Sequence, residues 1–115
     1  MNADQWDVAG MLLEHPNWAW QAGMRMCTRD DEVLGYYDGS LPEGAWPDLS
    51  AFATGGALLG VLDGLGILVD VAREAEEWIV AVETPEGLKG WAADTLPEAA
   101  AWALLQNWEP DEESA

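Results

Sequence analysis

Apolar residues near the start of the chain recur at the spacing of an amphipathic helix. Asp4 is placed to cap this helix, which we predict to run to about Glu14 and to end at His15 and Pro16. Its apolar stripe comprises Trp6, Ala9, Gly10 and Leu13. We therefore expect one face of the first helix to pack on the core.

The pattern then changes to the alternation of apolar and polar residues that is typical of strands. Segments 24–29 and 33–37 alternate in this way, and the acidic residues 30–32 between them are expected to form a turn. Asp-Gly-Ser at 38–40 ends the second strand, and the Pro-containing segment 41–47 is predicted to be a loop.

A long apolar segment occupies the middle of the chain. Asp48 is placed to cap a second helix over residues 48–66, which is apolar on nearly all sides and is expected to be buried. Its glycines repeat every fourth residue at Gly56, Gly60 and Gly64. Such a face favours close packing on a sheet or on a second subunit, which leaves a homodimer open. The charge of Asp63 argues against a membrane span.

The last third of the chain predicts a hairpin followed by a helix. Segment 67–72 fits either a strand or an extension of the second helix, whereas 78–83 and 88–93 are strands joined by a type I turn at 84–87. A capping box at 95–98 begins a helix that ends near residue 108. One face of this helix carries Leu96, Ala99, Ala100, Ala103 and Leu104.

The predicted elements have the order αββαββα. We interpret this order as the α+β class, with an antiparallel sheet of two hairpins packed with about three helices. A chain of 115 residues with 50% hydrophobic residues is large enough for one core, so we predict a single domain over residues 1–108. The remaining segment, 109–115, is predicted to be a disordered acidic tail.

The charge balance is far from ordinary, because 22 acidic residues face four basic ones and the formal net charge is -18. Spread over a folded surface of about 6,000 Å², this gives one net charge per roughly 340 Å². Duplex DNA carries one per about 110 Å², so an even spread is about threefold too sparse to imitate a nucleic acid. Clustering of the acids on one face would close that gap. Direct binding to nucleic acid is disfavoured, since so few cations can neutralise phosphates.

The segment that holds the only His and the only Cys is a weak candidate for a site. His15 has no second His nearby, and Cys27 lies twelve positions on, so we interpret His15 as a helix-terminus residue. Trp18 and Trp20 could form an aromatic platform, although in a chain with eight Trp they more simply close one end of the core. Trp46 and Trp108 are the better candidates for exposed contacts. A single cysteine and the lack of an N-terminal signal pattern favour a cytoplasmic setting.

Motifs for catalysis are missing from the sequence. It has no phosphate-binding loop, dinucleotide fingerprint, nucleophile elbow or EF-hand spacing, so we predict a protein that is not an enzyme and needs no cofactor or metal. A small hydrolase or ligand-binding module would require a concave site that joins His15, Trp18 and a carboxylate.

Three stretches of the sequence carry a resemblance to a known group: LLEHPNWAWQAGMRM, PDLSAFATGGALLGVL and EEWIVAVETPEGLKGWAADTLPEAAAWALL. Together they resemble small phage and prophage proteins of unknown function that open with a Leu-Leu-x-His-Pro-x-Trp-x-Trp segment. The resemblance implies a phage origin, where small acidic proteins include inhibitors of restriction and CRISPR systems that imitate nucleic-acid charge.

These observations lead to two hypotheses. The first is a non-enzymatic interaction protein, a nucleic-acid mimic that inhibits a basic nucleic-acid-binding host defence protein by competitive exclusion in the host cytoplasm. The second is an acidic accessory or structural phage protein whose acids are scattered evenly. For the first, the expected partner-binding residues are the acids Asp30, Asp31, Glu32, Asp38, Glu74, Glu76 and Glu77 with the aromatics Tyr36, Tyr37 and Trp46.

Overall fold

Residues 1–108 are described by a computed structural model, which contains three helices and six strands. The helices are α1 (Ala3–Glu14), α2 (Phe52–Gly64) and α3 (Leu96–Trp108). The strands are β1 (Arg25–Cys27), β2 (Val33–Tyr36), β3 (Trp46–Pro47), β4 (Leu68–Glu74), β5 (Glu77–Thr84) and β6 (Gly87–Ala93). The α+β class is confirmed. The predicted tail, 109–115, lies outside the described residues.

The two predicted hairpins belong to separate antiparallel sheets, each completed by a third strand. The small sheet has the order β2-β1-β3 and the large sheet the order β4-β5-β6. Segment 67–72, which the sequence left between strand and helix, lies mostly in β4 and pairs along β5. The two-residue loop between β5 and β6 has no positive φ at Pro85 or Glu86, as a type I turn requires, and Gly87 takes φ 115° directly after it.

Helix α3 is the centre of the molecule, because it packs on β5 and β6 of the large sheet and also on α1 and α2. All five residues of its predicted apolar face are buried, and Ala101 and Leu105 are buried as well. The alanine-rich sequence suits this position, since small side chains let several elements approach one helix closely. The Thr95 hydroxyl caps α3 by accepting from the Glu98 N–H at 3.3 Å.

Helix α1 begins earlier than predicted and turns a neighbouring stripe inward. Asn2 caps it, not Asp4, through a reciprocal capping box in which the Asn2 side chain accepts from the Gln5 N–H at 2.8 Å. Its buried residues are Gln5, Val8, Ala9 and Leu12. The buried stripe is therefore shifted by about one residue from the predicted stripe. Trp6 lies outside it, because its ring packs edge-on against Trp46 of β3.

Helix α2 is less buried than its composition predicts, and its glycine stripe faces away from the protein. Gly56, Gly60 and Gly64 are exposed, and a Cβ added at any of them would meet nothing within 4 Å. The close approach occurs instead at Gly55, where an added Cβ would lie 2.8 Å from Leu96 Cγ. Packing of the glycine repeat on a sheet of the same chain was therefore a wrong prediction, because α2 contacts α3 at one glycine outside the repeat, whereas packing on a second subunit stays a prediction.

Asp48 also differs from its predicted role as a helix cap. Helix α2 starts at Phe52 after Ala51, and buried Asp48 lies one turn earlier, where its Oδ1 accepts from the Ser50 N–H at 3.0 Å. Its Oδ2 lies 3.1 Å from the Arg25 Nε of β1. The Asp48 carboxylate therefore links β1 of the small sheet to the segment that precedes α2.

Candidate interaction surface

The acidic residues predicted on the small sheet lie at the two ends of its edge strand, β2. Asp30, Asp31 and Glu32 form the exposed turn between β1 and β2, and Asp38 is exposed just after β2. Asp31 adopts φ 69° and forms an ion pair with the amino group of Met1. Three of these four carboxylates therefore have no ion-pair partner among residues 1–108.

The three aromatic residues predicted to accompany these acids differ in exposure. Tyr36 on β2 is 58% exposed and is available to a partner. Tyr37 is half-buried and stacks on Trp20 with ring centroids 5.7 Å apart. Trp46, predicted to be exposed in a loop, is half-buried in β3, where it packs edge-on against Trp6 at 5.5 Å. Only Tyr36 therefore offers a freely exposed ring.

The second predicted acidic cluster lies at the turn between β4 and β5 of the large sheet. Glu74 and Glu77 are directly opposite each other in the ladder, and the two-residue loop between them is Ala75-Glu76. Both loop residues have positive φ, 47° and 70°, which is the type I′ conformation that favours Asn-Gly. This turn thus brings three carboxylates together on a strained backbone, and two of them repel each other across the ladder.

The strand alternation then sends two of these acids onto the face of the large sheet that α3 does not cover. On β5, Val80 and Val82 are buried and face α3, so Glu77, Ile79, Ala81 and Glu83 face the opposite side. Their partners in the ladder lie on the same side. We call this side the outer sheet face: Asp70, Ala72 and Glu74 of β4; Glu77, Ile79, Ala81 and Glu83 of β5; Leu88, Gly90 and Ala92 of β6.

All charges on the outer sheet face are negative. It carries four carboxylates, Asp70, Glu74, Glu77 and Glu83, and neither Arg73 nor Lys89, whose ladder partners Trp78 and Val82 lie on the α3 side. Three strands about 4.8 Å apart and some seven residues long at about 3.3 Å each cover roughly 330 Å². One carboxylate per roughly 80 Å² matches the density of about one charge per 110 Å² on duplex DNA.

The four basic side chains of the protein are all engaged within the fold. Arg25 pairs with Asp48, and Lys89 Nζ lies 2.8 Å from Glu86 Oε2. Arg29 lies over the Trp6 ring at 4.5 Å, and Arg73 lies over the Trp78 ring at 5.6 Å. The carboxylates of the outer sheet face therefore have no cationic partner among the described residues.

Within residues 1–108, the pocket beside Trp18 does not bring His15 and a carboxylate together, as a small hydrolase would require. His15 is the C-cap of α1, and its ring lies 4.9 Å from the Trp108 ring. Trp108, predicted to be exposed, is half-buried. A small pocket beside Trp18 and Met24 has a volume of about 30 Å³, and neither His15 nor a carboxylate lines it. That volume accommodates about one water molecule.

Two buried groups of the fold have raised pKa values. Burial raises the pKa of the Cys27 thiol to about 11, and the carboxylates of Asp48 and Asp31 act in the same direction. A thiol of this kind is a poor nucleophile. Burial likewise raises the pKa of Glu98 above its ordinary value, with repulsion from Asp94 as a second cause. Within residues 1–108, no three His, Cys, Asp or Glu side chains could together hold a metal ion.

Two carboxylates of the outer sheet face, Asp70 and Glu83, were not among the predicted site residues. For Glu83 the signal was present, since Glu77, Ile79, Ala81 and Glu83 alternate with the buried residues of a predicted strand. Asp70 could not be placed, because β4 was ambiguous and its ladder with β5 shifts register between Leu68 and Asp70.

Comparison with known proteins supplies no relative for this chain: no protein-family model matches it, and no curated protein or solved structure shows a significant similarity. None of the helices in residues 1–108 is long and apolar enough to cross a bilayer.

Proposed function

We propose that this protein is a non-enzymatic interaction protein that presents a nucleic-acid-like surface to a basic nucleic-acid-binding protein and excludes the nucleic acid by competition. The observation that supports this proposal is the outer sheet face, where the carboxylate density matches that of duplex DNA and the described residues supply no cation. Electrostatic attraction would set the rate and orientation of association.

The acidic turn of the small sheet is a second, separate negative surface, because the small sheet packs on α1 and not on the large sheet. Asp30, Glu32 and Asp38 on the small sheet meet Lys or Arg of the partner, and exposed Tyr36 between them supplies an apolar anchor. Glu76 adds a further carboxylate beside the outer sheet face. The protein itself does not bind nucleic acid, because its four cations are engaged within the fold.

The setting that we propose is the cytoplasm of a bacterial host cell, with a restriction or CRISPR component as the partner class. The resemblance to phage proteins and the reduced, buried Cys27 support this setting. A nucleic-acid-binding component of a defence system would present the basic surface that the carboxylates require.

The test is inhibition of DNA binding by a set of purified basic DNA-binding proteins, including restriction and CRISPR effectors, across a salt series. We expect at least one effector to lose DNA competitively, with an affinity for this protein that falls steeply between about 50 and 200 mM salt. The variant Asp70→Asn/Glu74→Gln/Glu77→Gln/Glu83→Gln should lose the inhibition. Inhibition that is unchanged by salt or by this variant would refute the proposal.

A second candidate function is an acidic accessory or structural phage protein without an inhibitory role. It is favoured by the carboxylates outside the outer sheet face, since Asp4 and Asp7 on α1 and Asp63 on α2 are also exposed. The same quadruple variant, in which four of the 22 acids are neutralised, separates the two functions. For an acidic accessory protein, neither the unaltered protein nor the variant should inhibit DNA binding.

A further inference from the structure

The outer sheet face is apolar at its centre, which a purely electrostatic surface does not require. Ile79 and Ala81 of β5 and Ala72 of β4 are half-buried there, and Leu88 at the rim is 60% exposed. An added Cβ at Gly90 would meet Ile79 Cγ2 at 3.3 Å and no other residue within 4 Å. The described part of the chain therefore leaves this centre uncovered.

The dimensions of the outer sheet face match one helix. Three strands are about 14 Å wide, and an α-helix with its side chains is about 10–12 Å in diameter. Glu77 and Glu83 are six residues apart on one strand, which is about 20 Å. A helix that spans this distance has about 13 residues, or between three and four turns.

The charges on the outer sheet face indicate which kind of partner can bind there. A second copy of this chain would bring four more carboxylates against Asp70, Glu74, Glu77 and Glu83, and like charges brought together at an interface are repulsive. An apolar surface rimmed only by carboxylates is complementary to an apolar stripe flanked by Lys and Arg. A basic amphipathic helix carries that pattern.

We propose that the outer sheet face docks a basic amphipathic helix of the partner protein. The apolar stripe of the helix covers Ile79 and Ala81, and its flanking Lys and Arg residues meet Glu74 and Glu77 at one end and Glu83 at the other. This inference rests on the proposed function and narrows the partner surface from any basic patch to a helix with an apolar side.

The probe is a pair of synthetic 16-residue peptides of identical Leu, Ala and Lys composition, titrated into the full-length protein labelled with ¹⁵N. One peptide carries a Leu/Ala stripe flanked by Lys at helical spacing, and the other is scrambled so that no stripe forms. We expect the patterned peptide to bind about tenfold more tightly, the factor for burying about one leucine side chain. The amide shifts should centre on β5 and β6. Equal affinities, or shifts confined to other elements, would overturn the inference.

A pair of leucine variants separates docking of a helix from attraction by charge. Leu88→Glu removes an apolar side chain of the outer sheet face and adds a negative charge, whereas Leu41→Glu makes the same change at a residue that is 53% exposed in a loop. We expect Leu88→Glu to remove the tenfold preference for the patterned peptide and Leu41→Glu to retain it. Ala92→Glu, also exposed on this face, repeats the test should Leu88→Glu fold poorly.

The outcomes distinguish this inference from the proposed function. If the unaltered protein and Leu88→Glu each bind the two peptides with equal affinity, and that affinity depends steeply on salt, charge alone governs binding and only the helix is refuted. If neither peptide binds at low salt and no basic DNA-binding protein is inhibited, both the helix and the proposed function are refuted.

Discussion

Replacing Gly55 with alanine tests the crossing of α2 over α3. The added Cβ would lie 2.8 Å from Leu96 Cγ and 3.0 Å from Pro97 Cδ. Both residues are buried at the start of α3, and the proline ring cannot rotate away. Overpacking of this kind costs about 1–3 kcal/mol, against which alanine regains up to about 1 kcal/mol of helix propensity. We expect Gly55→Ala to lower the free energy of unfolding by up to about 2 kcal/mol.

The matched controls are Gly56→Ala and Gly60→Ala on the exposed side of the same helix. An added Cβ at either position would meet nothing within 4 Å, so each should raise the free energy of unfolding by about 0.5–1 kcal/mol through helix propensity. Urea denaturation followed by tryptophan fluorescence measures all three variants. A Gly55→Ala variant that is as stable as Gly56→Ala or Gly60→Ala would refute the crossing. Destabilisation by Gly56→Ala, with a change in sedimentation, would instead show that a second copy covers the glycine stripe.

Three further predictions concern the buried thiol, a buried carboxyl and a strained turn. Because burial raises the pKa of Cys27 to about 11, we expect a disulfide reagent at pH 8 to react with it only after urea is added, and rapid reaction of the native protein would contradict its burial. The raised pKa of Glu98 stabilises the fold at acid pH, and that contribution is lost as pH rises through the folded pKa. Glu98→Gln should therefore increase stability by up to about 1 kcal/mol at pH 8 and less at pH 4, and equal effects at the two pH values would refute the assignment. Ala75→Asn/Glu76→Gly should raise stability by about 1–2 kcal/mol in thermal denaturation, because both residues have positive φ, and an unchanged Tm would argue against the type I′ turn.

The parts of the fold that could be predicted from the sequence are those specified by local chemistry. The type I turn at 84–87 follows from Pro and Gly at fixed positions, and the inward face of α3 follows from its period and its capping Thr95. The position of Gly55 against α3 could not be predicted, because the contact depends on the angle at which two helices cross. Composition favoured the repeated glycines instead, and they face solvent.

The candidate surface was predictable only in part for the same reason. The acidic cluster at 74–77 is local and was predicted. Which of its residues lie in the turn and which lie on the outer sheet face depends on how β4 pairs with β5. Asp70 lies opposite Ala81 on the outer sheet face because the β4–β5 ladder shifts register between Leu68 and Asp70. The apolar pattern of the sequence does not encode this shift. Trp46 was expected in a loop, since a strand of two residues leaves almost no periodic signal.

Glu74 and Glu77 oppose each other at the end of the β4–β5 hairpin. A cation bound there would therefore change the local stability of this protein. In the free molecule this end carries both their mutual repulsion and the unfavourable backbone of Ala75 and Glu76. A lysine or arginine placed between the two carboxylates would offset the repulsion. The amide protons near this end should consequently exchange with solvent more slowly in a complex, so the partner would complete the ordering of the surface that it recognises.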